Sequence, residues 1–408
     1  MSTRLIAKRI YHAIDGRSKG ISSLAIKISV SGIALGIAVI MLSFAIILGF
    51  KNEVKQKIHG FTSDVRICNL DYATSYAASP ITTSEELETS LSAIDGVAHL
   101  QSYSIVPGMI KTASDFQGMV LKGIGDDYDT LYLSTSMVEG RLPAHGGNGI
   151  AISKALSSKL GLGTGDDIHA YFFNKTLKAR KLHITGIYQT NINEHDNLFV
   201  ITDKDVVNRI NSWSDDEATG LEILLKPDAP RDKVLDDIYA AIHSHPGNED
   251  MTMETPEDIY PEIFSWLDVL DANVTVILIL MIGLSAFSIV SGLLIILLEK
   301  VNTIGILKAL GASNGFVRRV FSDIFTYIVA RGVLWGNLIG LGLYALQKLL
   351  QPFRLNPAIY YVDHVPVDIG VWLVLAINLA VIAISFAVFL IPSIMISRVN
   401  PTKTMKFD

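Results

Sequence analysis

The chain has 408 residues, of which 50% are apolar and 18% charged, and its formal net charge is −6. Soluble domains are seldom this apolar on average, so membrane-spanning segments are the first feature to look for. Cys68 is the single cysteine, which excludes an internal disulfide.

Four segments are long, apolar and almost free of charge. They cover residues 28–50, 272–298, 332–347 and 369–397. A helix needs about 20 apolar residues to cross the hydrocarbon core, so the first, second and fourth qualify directly. The third qualifies only if it begins earlier, which places Arg331 inside the span, where a polar contact with a neighbouring helix is favoured over a transport role. The sequence therefore predicts a polytopic α-helical membrane protein with four transmembrane helices.

The amino-terminal segment, residues 1–23, is predicted to be a cytoplasmic amphipathic helix. Its apolar side chains lie near one helical face with basic residues beside them, which is typical of a helix on a membrane surface. Transmembrane helix 1 is placed at residues 24–50. We do not interpret it as a cleaved signal peptide, because its apolar run is too long and charged, helix-forming residues follow it.

Residues 51–262 are predicted to form a large α+β extracytoplasmic (periplasmic) domain, with stalks, between helices 1 and 2. The segment 51–271 carries 18 basic and 34 acidic residues and accounts for the negative charge of the whole chain. An acidic domain between basic ends argues against nucleic acid as a partner. Alternating apolar residues near 185–202 predict strands, and the patterns at 84–94 and 232–242 predict helices.

Helix 2 is predicted to begin above the membrane. Thr255 and Pro256 form a helix-start signal, and Pro261 delays or kinks that start. The stalk and transmembrane helix 2 cover residues 263–298 without a break. A helix from about 261 to 298 is roughly 55 Å long at 1.5 Å per residue, which exceeds the thickness of a bilayer.

The remaining boundaries follow from the apolar runs. A cytoplasmic coupling segment is placed at 299–315, helix 3 at 316–347, an extracytoplasmic loop at 348–368, helix 4 at 369–397 and a cytoplasmic tail at 398–408. Small residues spaced by four allow helix backbones to approach closely. The glycines predicted to pack helices in this way are Gly32, Gly36, Gly332, Gly336 and Gly340.

Charge asymmetry predicts the orientation. Residues 1–27 carry six Lys or Arg against one Asp, residues 299–324 carry four basic against two acidic residues, and the tail from 398 carries three against one. Short cytoplasmic segments next to membrane spans are enriched in Lys and Arg. We therefore expect both termini and the coupling segment to lie in the cytoplasm.

Three stretches resemble chemical sites, and each has a simpler interpretation. Residues 161–167 are glycine-rich but lack the lysine of a phosphate loop, so we predict a turn between a helix and a strand. The histidines at 243–245 and the polar stretch 193–196 are interpreted as loops rather than metal sites. Neither Gly-Lys-Ser nor Gly-Lys-Thr occurs, so any ATP must bind to another chain. We expect no catalytic residue, metal site or cofactor on this chain.

Residues 299–312 read Glu-Lys-Val-Asn-Thr-Ile-Gly-Ile-Leu-Lys-Ala-Leu-Gly-Ala. This segment resembles the FtsX/MacB-type ABC transporter permease superfamily, in which a similar segment follows the second span and docks on the ATPase. The resemblance extends over nearly the whole chain, and the patterns at 149–166 and 184–196 are similar to the lipoprotein-releasing LolC/LolE group. Two departures are Thr303, where many members have Glu, and Asn191, which replaces a usual Gly.

The resemblance implies which residues couple to the ATPase. Their apolar character is unusual for an idle cytoplasmic loop, and a glycine suits the end of a short helix. The implied coupling residues are Glu299, Ile304, Gly305, Ile306, Leu307, Lys308, Leu310 and Gly311.

The resemblance also implies a function and a set of partners. The chain would be a non-catalytic, multi-pass permease subunit in the bacterial inner (cytoplasmic) membrane that extracts lipoproteins for delivery toward the outer membrane. The implied partners are a LolD-like ABC ATPase that binds ATP and Mg, a second permease copy that is identical or related, lipoprotein cargo and a LolA-like periplasmic carrier. In the LolC/LolE group a long loop between two strands forms a hook for the carrier. The corresponding stretch here, residues 173–181, is short, so recruitment would fall to a partner or another surface.

A cargo path is expected where the first two spans meet the outer membrane boundary. Acyl chains that leave a bilayer need continuous apolar contact, at a cost of about 0.8 kcal/mol per exposed CH₂. The residues predicted to line this path are Phe44, Ile47, Leu48, Phe50, Ile263, Phe264, Leu267 and Leu270. Ordinary helix packing is the alternative role for each of them.

Two other functions within the superfamily stay open. A MacB-like mechanotransmission exporter would expel peptides or drugs, and it usually carries its ATPase on the same chain, ahead of the first span. An FtsX-like signalling permease would control a cell-wall hydrolase, and its outer domain is usually shorter than the segment 51–271 found here.

Overall fold

The computed structural model describes residues 21–73, 75–76, 79–112, 116–174, 176–244 and 247–397. The predicted amphipathic segment up to residue 20, His245 and the tail from residue 398 lie outside these ranges. The chain divides into two compact units, which are described separately. The helical unit comprises residues 1–52, 266–354 and 364–408, and the α+β unit comprises residues 53–265 and 355–363.

The elements follow one another along the chain in this order. They are α1 (Ile21–Thr62), β1 (Val65–Asn69), β2 (Ile81–Thr82), α2 (Glu85–Ser92), β3 (Val97–Lys111), β4 (Phe116–Ile124), α3 (Leu131–Thr135), β5 (Met137–Gly140), β6 (Gly149–Ser153), α4 (Lys154–Leu160), β7 (Asp167–Asn174), β8 (Thr176–Tyr188), α5 (Asn193–Asp196), β9 (Phe199–Asp203), α6 (Lys204–Asn211), β10 (Glu217–Ala218), β11 (Gly220–Leu225), α7 (Arg231–Ser244), β12 (Met251–Glu254), α8 (Pro256–Ile259), α9 (Pro261–Glu299), α10 (Val301–Ala309), α11 (Asn314–Leu350), α12 (Pro357–Tyr360) and α13 (Val371–Ser397).

Four helices of the described residues are long and apolar enough to cross a membrane, namely α1, α9, α11 and α13. This confirms the predicted number of apolar helices. Helix α1 continues to Thr62, twelve residues past the predicted end of the span at residue 50. The extension is stabilised by an ion pair one turn apart, Glu53 with Lys57, whose charged atoms are 3.6 Å apart.

The two prolines that the sequence indicates as helix-start signals, Pro256 and Pro261, each begin a separate helix. Thr255 and Asp258 form a capping box around α8, and Pro256 occupies its first turn. Tyr260 interrupts the helix, and its carbonyl accepts the backbone N–H of Ile263 at 3.1 Å. Pro261 therefore begins a second helix, α9, rather than kinking a single one.

The α+β unit is built on a large mixed sheet. Its described strands follow the order β12-β1-β11-β3-β4-β9-β6-β8-β5, with β7 pairing to β3 and β8, while β10 and β2 form a separate pair. Most neighbours are antiparallel, but β4 with β9 and β6 with β8 are parallel. Buried aliphatic and aromatic side chains form three clusters around this sheet.

The glycine-rich stretch 161–167 is a turn between a helix and a strand, as predicted. Ser153 caps the start of α4 by accepting the backbone N–H of Leu156. Gly161 ends α4 in the left-handed conformation at φ 64°, which glycine adopts without strain. Strand β7 begins at Asp167. The stretch thus needs no phosphate to explain its glycines.

Candidate functional site

The predicted coupling segment contains the short helix α10, which has one buried and one exposed side. Ile304 is 1% exposed and packs into the core of the helical unit. Ile306 and Leu310 are 56% and 81% exposed, respectively. Gly311 then adopts a left-handed conformation at φ 91° and so terminates the helix. An anchored helix that presents leucine and isoleucine outward is suited to dock on another protein.

The other predicted coupling residues lie on or beside α10. Gly305 is buried and Lys308 is half-buried, while the side chain of Leu307 is not among those that the structure describes. Glu299, the last residue of α9, pairs with Lys300 at 3.3 Å. Ser313 caps the following helix α11 by accepting the backbone N–H of Phe316 at 3.2 Å. The segment is therefore a defined helix held between two long helices, not an irregular loop.

The five predicted packing glycines all lie where helix backbones approach closely. A Cβ added at Gly332 or Gly336 would lie 2.7 Å or 2.8 Å from the Cβ of Ile33 or Ile37, respectively. Real Cβ atoms do not approach so closely. Any residue larger than glycine at these two positions of α11 would therefore force the helices to shift. Gly340 faces Met41 in the same way, and Gly32 and Gly36 of α1 face Ser288 and Ser285 of α9. Helix α1 is thus held tightly on two sides.

Hydroxyl and amide groups supplement this packing. Ser29 Oγ donates to the carbonyl of Ser288 at 3.1 Å, which links α1 to α9. Asn337 and Asn378 exchange side-chain hydrogen bonds of 2.6 and 2.9 Å, which link α11 to α13. Such contacts hold transmembrane helices together where the lipid is as apolar as the core.

The residues predicted to line a cargo path do not share one environment. Phe50, Ile263 and Leu267 are buried within this chain, at 7%, 5% and 0% exposure. Their burial agrees with the packing alternative. The ring of Phe50 makes an edge contact with Trp266 at 5.4 Å. Phe44, Ile47, Leu48, Phe264 and Leu270 are half-buried or exposed and stay candidates for the path.

A buried joint, defined here as Phe61, Lys122, His195, Glu222 and Tyr260, lies in the α+β unit. It connects the last turn of α1 with Tyr260, the residue between α8 and α9. The His195 ring stacks on Phe61 with centroids 4.0 Å apart. Its Nε2 is 2.8 Å from the Tyr260 hydroxyl. One buried imidazole therefore contacts both the last turn of α1 and the residue that precedes α9.

Lys122 and Glu222 fix the other side of the joint. The ammonium of Lys122 donates to the Phe61 carbonyl at 2.9 Å and to Glu222 at 2.7 Å. These two side chains are 5% and 2% exposed. Tyr128 and Gln101 also donate to the Glu222 carboxylate, so the buried charge is well satisfied. A cation on the carbonyl end of α1 is also favourable for the helix dipole.

Burial controls the protonation of this joint. Removal from water lowers the pKa of His195 to about 3, and the positive charge of Lys122 acts in the same direction. His195 is therefore neutral near pH 7. Burial also lowers the pKa of Lys122, while the attraction of Glu222 opposes that shift. The joint thus holds one charge pair and one neutral imidazole.

Sequence reasoning treated residues 193–196 as a polar loop and missed the joint. The structure instead buries His195 completely and makes it part of helix α5. A signal for Lys122 was present, because it is the one charged residue of β4, within an otherwise apolar strand end. Among the described residues, no group of three or more His, Cys, Asp or Glu is arranged to hold a metal ion.

The short stretch at residues 173–181 includes residues at the tip of a β-hairpin. Strands β7 and β8 pair from Asp167 with His183 to Asn174 with Thr176. The cross-strand pair Phe173 and Leu177 near the tip is 61% and 63% exposed. The hairpin therefore ends in an exposed apolar pair without a long loop.

Two family models match this chain, one after the other along the sequence. The family model described as MacB-like periplasmic core domain matches residues 28–241, and that described as FtsX-like permease C-terminal matches residues 275–401. The chain is similar to the lipoprotein-releasing system transmembrane protein LolC of Neisseria meningitidis, at 22% identity over 96% of both chains. It is also similar to LolE of Haemophilus influenzae, at 21% identity over 94% of both. The periplasmic region of MacB from Actinobacillus actinomycetemcomitans matches with a TM-score of 0.38 and 14% identity, covering 50% of this chain and 95% of that chain.

Proposed function

Because the chain belongs to the family that carries a MacB-like periplasmic core domain, we propose that it is the permease subunit of an ABC transporter that extracts lipoproteins from the inner membrane for delivery toward the outer membrane. The observation that carries this proposal is the similarity to LolC along 96% of both chains. The match includes the helical unit and the α+β unit, so it supports the whole architecture.

The proposed topology places the α+β unit outside the cytoplasm. Basic residues flank α1 before its apolar run and surround α10, which supports a cytoplasmic location for both. Helices α1, α9, α11 and α13 would then cross the inner membrane, with both termini inside.

ATP and Mg would be bound by a separate, LolD-like ATPase subunit. Ile306 of α10 and Leu310, the residue that follows α10, present apolar surface that would be costly to leave in water. Their burial against the ATPase would couple its movements to α9 and α11, the helices on either side of α10. The permease would contribute no catalytic residue and would work with a second copy, identical or related.

Lipoprotein acyl chains would enter beside α1 and α9. Leu48 is exposed and Phe44 is half-buried, so these side chains are accessible to an acyl chain in a way that Leu267 is not. Recruitment of a LolA-like carrier would fall to a partner subunit or to another surface, because the hairpin of β7 and β8 carries no long loop at its tip. ATP-driven movement of the helices would then push the cargo toward the α+β unit.

The proposal is tested by depleting the protein in its own cells and measuring where mature lipoproteins accumulate. We expect triacylated lipoproteins to collect in the inner membrane. Wild-type protein should restore their sorting, and Leu310→Asp should not, because a carboxylate at this position cannot be buried against the ATPase. Leu131→Asp, the same change at a leucine of the α+β unit that is 70% exposed, is the matched control and should restore sorting. Normal sorting after depletion would overturn the proposal.

A further inference from the structure

A groove on the helical unit lies between α1 and α11. It has a volume of about 570 Å³ and is lined by Ile26, Lys27, Val30, Ser31, Ala34, Leu35, Ala38, Arg331, Trp335 and Ile339. The lining is apolar except for Ser31 and two cations, Lys27 and Arg331, and none of these ten residues is acidic. Both cations are exposed.

The two cations lie toward the same end of the groove. Gly332 packs on Ile33 and Gly336 packs on Ile37, so α1 and α11 run parallel. Long side chains on a helix lean toward its amino terminus. Arg331 therefore lies about five residues along the helix axis from Lys27, or about 7.5 Å at 1.5 Å per residue, and both side chains lean toward the amino-terminal end of the groove. Ala38 and Ile339 line the opposite, apolar end.

The length of the groove matches one half of a bilayer. From Lys27 to Ala38 the helix rises by about 17 Å, at 1.5 Å per residue. One leaflet of the hydrocarbon core is about 15 Å thick, or half of roughly 30 Å. An extended acyl chain can therefore lie along the groove while its headgroup meets the two cations.

We propose that this groove binds one anionic phospholipid of the surrounding bilayer. Its headgroup phosphate would contact Lys27 and Arg331, and an acyl chain would run along Ala34, Ala38 and Ile339. Basic pockets between membrane helices suit anionic headgroups. The charge of the site selects anionic over zwitterionic lipids. The proposal does not depend on the identity of the cargo.

The test uses the full chain purified into nanodiscs of equal parts phosphatidylglycerol and phosphatidylethanolamine. Native mass spectrometry of the released protein counts retained lipids of each type. The wild type should retain phosphatidylglycerol preferentially. Lys27→Gln and Arg331→Gln should each reduce that enrichment by about fivefold, the effect expected for one cation near an anionic lipid.

The matched control is the double variant Arg318→Gln and Arg319→Gln, two exposed cations of the same helix outside the groove. It should retain the wild-type enrichment. Ser31→Phe fills the groove and keeps both cations, and it should also release the lipid. Equal retention of both lipids by the wild type would overturn the proposal, as would an equal loss in the control. Efficient disulfide cross-linking between two copies carrying Leu35→Cys would also overturn it, because a second chain would then occupy the groove.

Discussion

The two units of the chain use different interactions to define their interiors. The α+β unit buries aliphatic clusters against water and places a charged pair, Lys122 with Glu222, inside. The helical unit exposes many large apolar side chains, such as Leu349 and Trp372 at 82% and 84% exposure, so apolarity does not distinguish its inside from its outside. Close contacts at glycine, serine and asparagine make that distinction instead.

The comparison suggests how each unit can be disrupted. In the α+β unit the hydrophobic effect supplies stability, and buried polar groups are costly when one partner is removed. In the helical unit the lipid competes equally for apolar surface, so added volume at a close contact should matter more than lost apolar area.

Lys122→Met should destabilise the α+β unit by about 3–5 kcal/mol, because it leaves the Glu222 carboxylate buried without its cation. Hydrogen exchange of β1 and β11 in the full chain would measure the loss. The double variant Lys122→Met with Glu222→Leu should recover much of it, because both charges are then absent. A double variant as unstable as the single one would contradict this explanation, because the loss would then come from altered packing and not from the unpaired carboxylate.

Gly336→Leu should destabilise the helical unit by about 1–3 kcal/mol or more, since its side chain would collide with Ile37. Gly342→Leu is the matched control on the same helix, because no atom lies within 4 Å of its Cβ position. Thermal unfolding in detergent micelles would compare them. Equal melting temperatures for the two variants would show that α1 and α11 do not depend on this close approach.

His195 should make the α+β unit less stable in acid. Its pKa is about 3 in the folded chain and 6.5 ordinarily, so below pH 6.5 the unfolded chain binds a proton that the folded chain does not. Stability is then complete above pH 6.5 and falls toward pH 3, by up to about 1.4 kcal/mol per pH unit. His195→Phe should reduce the dependence of the free energy of unfolding on pH. Hydrogen exchange would measure it, after correction for the effect of pH on the intrinsic exchange rate. His169→Phe, at an exposed position of β7, should retain it.

The Asn337–Asn378 pair should contribute the smallest effect. Hydrogen bonds between membrane helices average about 0.6 kcal/mol in double-mutant cycles. Replacing each asparagine with leucine, singly and together, and measuring unfolding in mixed micelles gives the coupling energy. A coupling energy near zero would mean that the 2.6 Å hydrogen bond does not stabilise the contact between α11 and α13.

Sequence patterns predicted the features that depend on local chemistry. The four apolar helices follow from composition, and the capping residues Thr255 and Pro256 mark a helix start that the structure contains. The turn at residues 161–167 was predicted from its glycines, and Gly161 does adopt the left-handed conformation that ends α4. These features require only neighbouring residues, so a single sequence suffices.

The features that the sequence did not predict depend on distant partners. Lys122 and Glu222 are separated by 100 residues, and His195 contacts Phe61 and Tyr260 from a third segment. The order of the strands in the sheet brings these side chains into contact. No local sequence pattern specifies the order in which β1, β11 and β3 pair. The burial of Leu267 and Ile263 likewise depends on tertiary packing, because the local sequence does not show which apolar side chains of α9 meet a partner elsewhere in the chain.

Under the proposed function, this chain would couple ATP hydrolysis on a partner to the release of lipoproteins from a membrane. The most direct measurement reconstitutes the permease, its second copy and the ATPase into proteoliposomes that contain a triacylated lipoprotein, with a soluble carrier outside. We predict ATP-dependent transfer of the lipoprotein to the carrier, and loss of that transfer with Leu310→Asp. ATP hydrolysis by the assembled complex without any release of lipoprotein would contradict the account.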